Sequence, residues 1–380
     1  MMNQPVYLDH NATTPVGAEV LEAMLPFFRQ HFGNPSSATP LGRCARDAIE
    51  NARGQAAALI GADAREIIFT GGGTEASNHA ILGFAARAPA GRRRIVTSSV
   101  EHPATDVPCQ RLAEQGFQVR RLGVDRTGVV RLDEAFAAID GDTVLVTIIH
   151  AQNEIGTIQP VAELAVAARR HGVPVHVDAA QSAGKLPLDV KALGIDALII
   201  AGHKLYAPKG VGALYLRRGH DLPSLLAGAG QEDGRRPGTE NVPSIVGLGQ
   251  ACAIAQRRLA ADAERISALR ERLWERLATG VSGLIRVGAG APCLPNTLHV
   301  LFPRIEGGRL LAATPEVAAS TGSACHAGQV RPSSVVLALG YAPDVAMGAV
   351  RLSLGRTTTE ADVDRAAAAL VGRWKALSSG

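Results

Sequence analysis

Between about residue 15 and residue 255 two patterns alternate along the chain: amphipathic stretches of helical period, and short runs that are apolar at consecutive positions. The runs fall at 66–70, 94–97, 143–149, 173–177, 197–200 and 212–216. A strand with one wet face alternates apolar and polar residues, whereas one covered on both faces does not. These runs therefore predict a mainly parallel sheet sandwiched by helices. Ligands of such sheets sit at the carboxyl ends of the strands, so the residues just after each run carry the functional information. After Pro243 a further pattern, with Ile266, Leu269, Leu273 and Leu277 at three- or four-residue spacing, reaches about Ala278 and meets Gly280 as a stop. It predicts one helix, or two in close succession, joining a large lobe to a smaller one. The smaller lobe has strand candidates at 297–302 and 349–353 and a last helix from about Glu360, capped by Thr359. The expected organisation is α/β, with a large domain at 15–255 and a small α+β domain built from 1–14 and 256–380.

Composition narrows the class. The 380 residues exceed what one core organises, and 46% hydrophobic with 19% charged residues is ordinary for a globular protein. The net charge of +4 is spread over 39 basic and 35 acidic residues, with no run that would track a phosphate backbone, so no nucleic-acid partner is expected. Arg92-Arg93-Arg94 reads as a solvated loop. No apolar run approaches the roughly 18 residues of a membrane helix, and Met1-Met2-Asn3-Gln4-Pro5 lacks the basic and apolar parts of a leader, so a cytoplasmic protein is expected. The five cysteines, Cys44, Cys109, Cys252, Cys293 and Cys325, include no Cys-x-x-Cys and stand near no His pair at zinc spacing, so neither a disulfide framework nor a metal site is expected.

The strand ends carry the chemistry. The first strong run leads into Thr70-Gly71-Gly72-Gly73-Thr74-Glu75, where glycines let the backbone approach an anion and Thr74 stands at a helix N-terminus that favours phosphate. It is neither a Walker loop nor a dinucleotide turn. The next runs end in Ser99-Val100-Glu101-His102, in His150-Ala151-Gln152-Asn153, in Asp178-Ala179-Ala180-Gln181 and in Ala201-Gly202-His203-Lys204. An Asp can hold a pyridine nitrogen protonated, a Lys can form a Schiff base, a His can stack and relay protons, and a Gln or Asn can bond a phenolic oxygen or a carboxylate. That is the inventory pyridoxal phosphate requires. Far along the chain, Ser320-Thr321-Gly322-Ser323-Ala324-Cys325-His326-Ala327-Gly328 reads as a mobile loop that would expose a thiol beside an imidazole. The other four cysteines stand in ordinary packing contexts.

Assembled, these blocks resemble the cysteine desulfurase and selenocysteine lyase family of fold-type-I pyridoxal-phosphate enzymes, the class V aminotransferase group. The resemblance runs from Tyr7-Leu8-Asp9-His10-Asn11-Ala12-Thr13-Thr14-Pro15 to Arg351-Leu352-Ser353-Leu354-Gly355-Arg356-Thr357-Thr358, through Gly202-His203-Lys204-x-Tyr206-x-Pro208-Lys209-Gly210. It implies a seven-stranded-type sheet and assigns Lys204 as the Schiff-base lysine, Asp178 as the pyridinium partner and His102 as the stacking acid–base residue. Gln181 would meet the phenolic oxygen. Gly73, Thr74 and His203 would hold the phosphate, joined by Thr239 from the second subunit of a homodimer. Asn11, Asn153 and Arg351 would lie at the substrate, Arg351 clamping its carboxylate.

The implied activity is conversion of cysteine to alanine, with a persulfide formed on Cys325 for a sulfur acceptor in iron–sulfur assembly, tRNA thiolation or a selenium pathway. Selenocysteine lyase and plain aminotransferase are the alternatives. A cofactor-free scaffold is a further one, at odds with an intact Lys204. Two departures bear on the choice. Ala201 replaces a common Ser before Gly-His-Lys, removing a phosphate hydrogen bond. Arg236-Pro237-Gly238-Thr239 and Ala324-Cys325-His326 lean toward the lyase, while Pro103 leans toward the desulfurase.

Overall fold

The computed structural model describes residues 4–322 and 331–378. The chain enters as a short strand, β1 (Val6–Tyr7). The main sheet then collects β2 (Ile67–Thr70), β3 (Arg94–Ser98), β4 (Gln118–Leu122), β5 (Thr143–Ile149), β6 (Val175–Asp178), β7 (Ala197–Ala201) and β8 (Gly212–Leu216). Its order is β2-β8-β7-β6-β5-β3-β4. Neighbours are parallel except at β8, which runs antiparallel to both β2 and β7. Every position of β2, β5, β7 and β8 is buried, as strands read from consecutive apolar residues must be.

Strand β4 was not expected. Its Gln118-Val119-Arg120-Arg121-Leu122 sequence exposes three of five residues at the sheet edge, so it shows no apolar run. The structured chain beyond the sheet contains β9 (Ile285–Arg286), β10 (Thr297–Leu301), β11 (Val317–Ala318) and β12 (Ala349–Ser353). Strands β12-β10-β9 form an antiparallel sheet, and β1 pairs in parallel with β11.

The long pattern after Pro243 is one helix, Val242–Gly280, with Asn241 accepting from the Ser244 N–H as its cap and Pro243 in the first turn, where a missing N–H costs nothing. Its first half packs Ile245, Leu248, Ala251 and Cys252 into the core beneath the main sheet. Its second half gives Ile266, Leu269, Leu273 and Leu277 to a separate apolar cluster with Val6, Leu8, Leu352 and Trp374. Thr359 does cap the last helix, Glu360–Ser378, its Oγ1 accepting from the Asp362 N–H at 3.1 Å. Residues from the N-terminal strand and from β12 thus lie against the carboxyl edge of the main sheet, Asn11 bonding to Gln181 and Arg351 to Asn153.

Candidate active site

Strand β2 stops at Thr70, and the helix Gly73–Ala86 starts across a turn in which Gly72 takes φ +151°. Its N-cap is Gly72, so no side chain satisfies the first-turn N–H groups. A Cβ at Gly73 would stand 3.1 Å from Ala201 Cβ and 3.3 Å from Ile199 Cδ1, and only glycine lets the turn sit this close to the end of β7. Uncapped donors at a helix start, open to a cleft, match a phosphate. His203 borders the same place, its Nδ1 3.2 Å from Thr13 Oγ1. Burial, with the charges of Lys204, Lys209 and His102, pushes its pKa down to about 4, so it meets an anion as a neutral ring. Ala201 presents only a methyl group here. Thr239 is exposed and lies outside the cleft of its own chain.

The remaining expected residues within the described chain share this cleft of about 420 Å³. Asp178 ends β6, buried, with Oδ1 accepting from the Ala180 N–H at 2.9 Å and no ion-pair partner among the described residues. Burial raises its pKa, against the pull of His102 and Lys204. Lys204 follows β7 and donates to the carbonyls of Asn11 and Ala12, the latter at 2.7 Å. Burial and the Arg351 charge bring its pKa down to about 8, with Asp9 and Asp178 opposing. His102 caps the helix Pro103–Glu114, its Nδ1 accepting from the Ala104 N–H at 3.1 Å. The neutral ring therefore carries its proton on Nε2. Although the ring faces the open cleft, desolvation lowers its pKa, with Lys204 adding to the fall and Asp178 opposing it.

At the other end stands Arg351 on β12, 5% exposed. Its Nη2 donates to Asp9 Oδ1 at 2.7 Å and its Nη1 to the Asn153 carbonyl at 3.1 Å, while Nε is buried without an acceptor among the described residues. A guanidinium N–H left unfilled beside a cleft suits a carboxylate ligand. Asn153 lines the cleft next to it. The Asn11 side chain is consumed inside the protein: Nδ2 donates to Asn153 and Thr297, and Oδ1 accepts from Asn296 and Lys185. Its backbone carbonyl instead receives Gln181 Nε2 at 3.0 Å.

Cys325 lies outside the described residues. Of the other cysteines, Cys109 and Cys252 are buried, and burial pushes both thiols up to about 12, in keeping with packing rather than chemistry. Sequence reasoning passed over three residues. Asp9 sits in the quoted N-terminal motif, but its bond to Arg351 joins residues 342 apart. Lys185, four residues after Gln181, reaches under the cleft. Glu101, beside His102, carries a carboxyl pushed up to about 8 by burial, with Ser98 and Ile149 donating to Oε1 and Oε2 left without a partner among the described residues.

A mainly parallel sheet with polar residues gathered at successive strand ends, among them a lysine of lowered pKa and a buried aspartate that line one cleft, is the arrangement of the pyridoxal-phosphate transferases. The aminotransferase class-V family model matches residues 6–366. A cysteine desulfurase of Trichormus variabilis is 45% identical over 95% of this chain and 90% of its own length. Cysteine desulfurase IscS of Methanosarcina thermophila is 44% identical over 96% and 90%. A solved NifS-like protein superposes with a TM-score of 0.91 at 37% identity, covering 99% of this chain and 100% of that one. The chain belongs to the aminotransferase class-V family, whose members depend on pyridoxal phosphate. The site fits that cofactor. The uncapped turn at Gly73 and Thr74, with His203, would take the phosphate; unpaired Asp178 would take the ring nitrogen, Gln181 the phenolic oxygen and Lys204 the aldehyde.

Proposed function

We propose that the chain is a pyridoxal-phosphate-dependent cysteine desulfurase that converts cysteine to alanine and takes the sulfur onto Cys325. One observation carries the reading: an amine whose pKa is lowered to about 8, a buried carboxylate with no ion-pair partner among the described residues and a guanidinium whose Nε has no acceptor among them line one cleft. The names of the relatives support the substrate. When bound, pyridoxal phosphate supplies an aldehyde and a protonated ring that withdraws electrons from the substrate.

The protein supplies the rest. Arg351 holds the substrate carboxylate, with Asn153 beside it. Lys204 Nζ, partly neutral near pH 8, accepts the proton leaving the substrate Cα. His102 keeps a proton at Nε2 for donation within the cleft. The Cys325 thiolate attacks the substrate sulfur; an S–S bond forms, the Cβ–S bond breaks, and its electron pair stays with carbon, which gains a proton to become the methyl group of alanine. Atoms balance as cysteine plus thiol giving alanine plus persulfide. The persulfide then passes to a thiol acceptor. A homodimer would bring Thr239 of a second copy to the phosphate end.

The test has two readouts. Borohydride reduction of the protein loaded with pyridoxal phosphate should leave a pyridoxyl group on Lys204, seen by peptide mass; no adduct there ends the cofactor assignment. Given cysteine and a thiol reductant, the protein should release alanine and sulfide in equal amounts, and Cys325→Ala should lower sulfide release by roughly 10²-fold or more while keeping the cofactor. Keto-acid formation that survives in Cys325→Ala would instead mark an aminotransferase, and faster turnover of selenocysteine a lyase.

A further inference from the structure

Lys185 belongs to none of the roles above, yet it lies directly behind them. It follows β6 by a tight turn in which Ala183, Lys185 and Leu186 donate backbone N–H groups to Ala179 and Ser182. Gly184, at φ +72°, makes the turn possible; a Cβ there would fall 2.1 Å from Leu205 Cδ1. The turn brings the Lys185 amine back beneath Gln181. Nζ donates to Gln181 Oε1 at 2.8 Å and to Asn11 Oδ1 at 3.3 Å. Lys185 also lines a small cavity with His10, Tyr206, Asn296 and Arg356.

This amine has no carboxylate within ion-pair distance among the described residues, an unusual choice for a half-buried cation beside two other cations. The charged and titratable groups around it are Lys204 and Arg351, which repel it, with His10, Tyr206, Arg356 and Asp262 on the walls of the small cavity. If the residue served packing alone, an apolar side chain would avoid that cost. What the ammonium adds is direction. It donates and cannot accept, so only the oxygen of the Gln181 carboxamide can face it, and the NH₂ must turn to the opposite side. On that side Gln181 Nε2 meets the Asn11 carbonyl at 3.0 Å at the cleft wall.

We infer that Lys185 is a positioning residue: by holding Gln181 Oε1 it keeps the Gln181 NH₂ pointed at the cleft, so that a donor and not an acceptor faces the cofactor's phenolic oxygen. The inference rests on the pyridoxal-phosphate reading above and adds to it a residue that touches neither cofactor nor substrate. Burial and the neighbouring Lys204 and Arg351 charges hold the Lys185 pKa down to about 7, so the constraint is strongest on the acid side of neutrality. Above that pH the amine gains a lone pair, and the Asn11 carbonyl is left to hold the NH₂ without its help.

A donor on the phenolic oxygen favours its ionised form, so losing the donor should raise the pH at which the bound cofactor changes absorbance. In the holoenzyme, Lys185→Met should shift that midpoint upward by about half to one pH unit, the scale of one hydrogen bond. Lys185→Arg, which restores a donor-only cation, should return it toward wild type. In a Gln181→Leu background the Lys185→Met shift should vanish, because there is no carboxamide left to orient. A shift that persists in that background would show plain charge repulsion and overturn the inference, as would an unshifted midpoint in Lys185→Met. If methionine prevents folding, Lys185→Ala removes the same donor with less bulk to place and is read in the same way. Wild-type protein that forms no reducible adduct on Lys204 would sink the cofactor reading itself; normal loading with an unmoved midpoint would sink only the role of Lys185.

Discussion

Two buried arginines of this chain make opposite uses of the same group. Arg53, on the helix Pro40–Leu59 at the far side of β2, grips Glu232 through two bonds of 2.7 and 2.8 Å, gives another to the Ile67 carbonyl and turns Nε to Glu50. Glu232 is equally occupied, accepting the Phe69 N–H as well, and these bonds hold it at φ +51°, a conformation that costs a non-glycine residue energy. Arg351 is as deeply buried but leaves Nε without an acceptor among the described residues. The difference separates structure from function. A buried charge whose donors are all filled anchors backbone; one left partly unfilled beside a cleft stores a desolvation cost that a ligand can relieve.

Breaking the first arginine should therefore damage the fold, and breaking the second should damage the chemistry. Arg53→Met strands Glu232 without its cation and should cost about 3–5 kcal/mol of stability, read by denaturant unfolding, with much of it recovered in Arg53→Met/Glu232→Leu. A loss below about 1 kcal/mol would mean that the pair holds nothing together. Arg351→Lys keeps the charge and the ion pair with Asp9 but gives up the planar fork, so KM for cysteine should rise roughly 10-fold or more with kcat less affected and stability nearly unchanged. A fall in kcat at constant KM would move Arg351 from substrate binding to the transition state.

The comparison extends to acids. Glu232 is fully bonded, whereas Glu101 has one oxygen without a partner among the described residues and a pKa raised to about 8 by burial. The folded protein thus holds a proton on Glu101 that the unfolded chain has released above about 4.5. Its stabilising contribution is complete at low pH and is lost as pH rises through 8. Glu101→Gln should remove this dependence, so that the variant's melting temperature relative to wild type improves from pH 6 to pH 9. A constant difference across that range would show that Glu101 is ionised throughout.

Much of this could be read along the chain. Strands β2, β3, β5, β6, β7 and β8 were visible as apolar runs because both sheet faces are covered, and His102, Asp178 and Lys204 were visible because each stands within five residues of the end of such a run. Strand β4 was hidden, since an edge strand that exposes Gln118, Arg120 and Arg121 carries no burial signal. Lys185 gave no signal, since it stands seven residues past the end of β6 and its bonds to Gln181 and Asn11 depend on the turn around Gly184.

What the sequence determined by itself was local: which segments are buried on both sides, where each ends, and which polar residue stands at the end. Only tertiary structure decided which of those residues meet, and in what electrical state. The approach of β12 and the N-terminal segment to the sheet edge joins Asp9 to Arg351, lowers the pKa of Lys204 and seats Asn11 against Lys185. Hydrophobic periodicity is written into neighbours along the chain, whereas desolvation and Coulomb interaction depend on distance through space, and that distance exists only once the chain has folded.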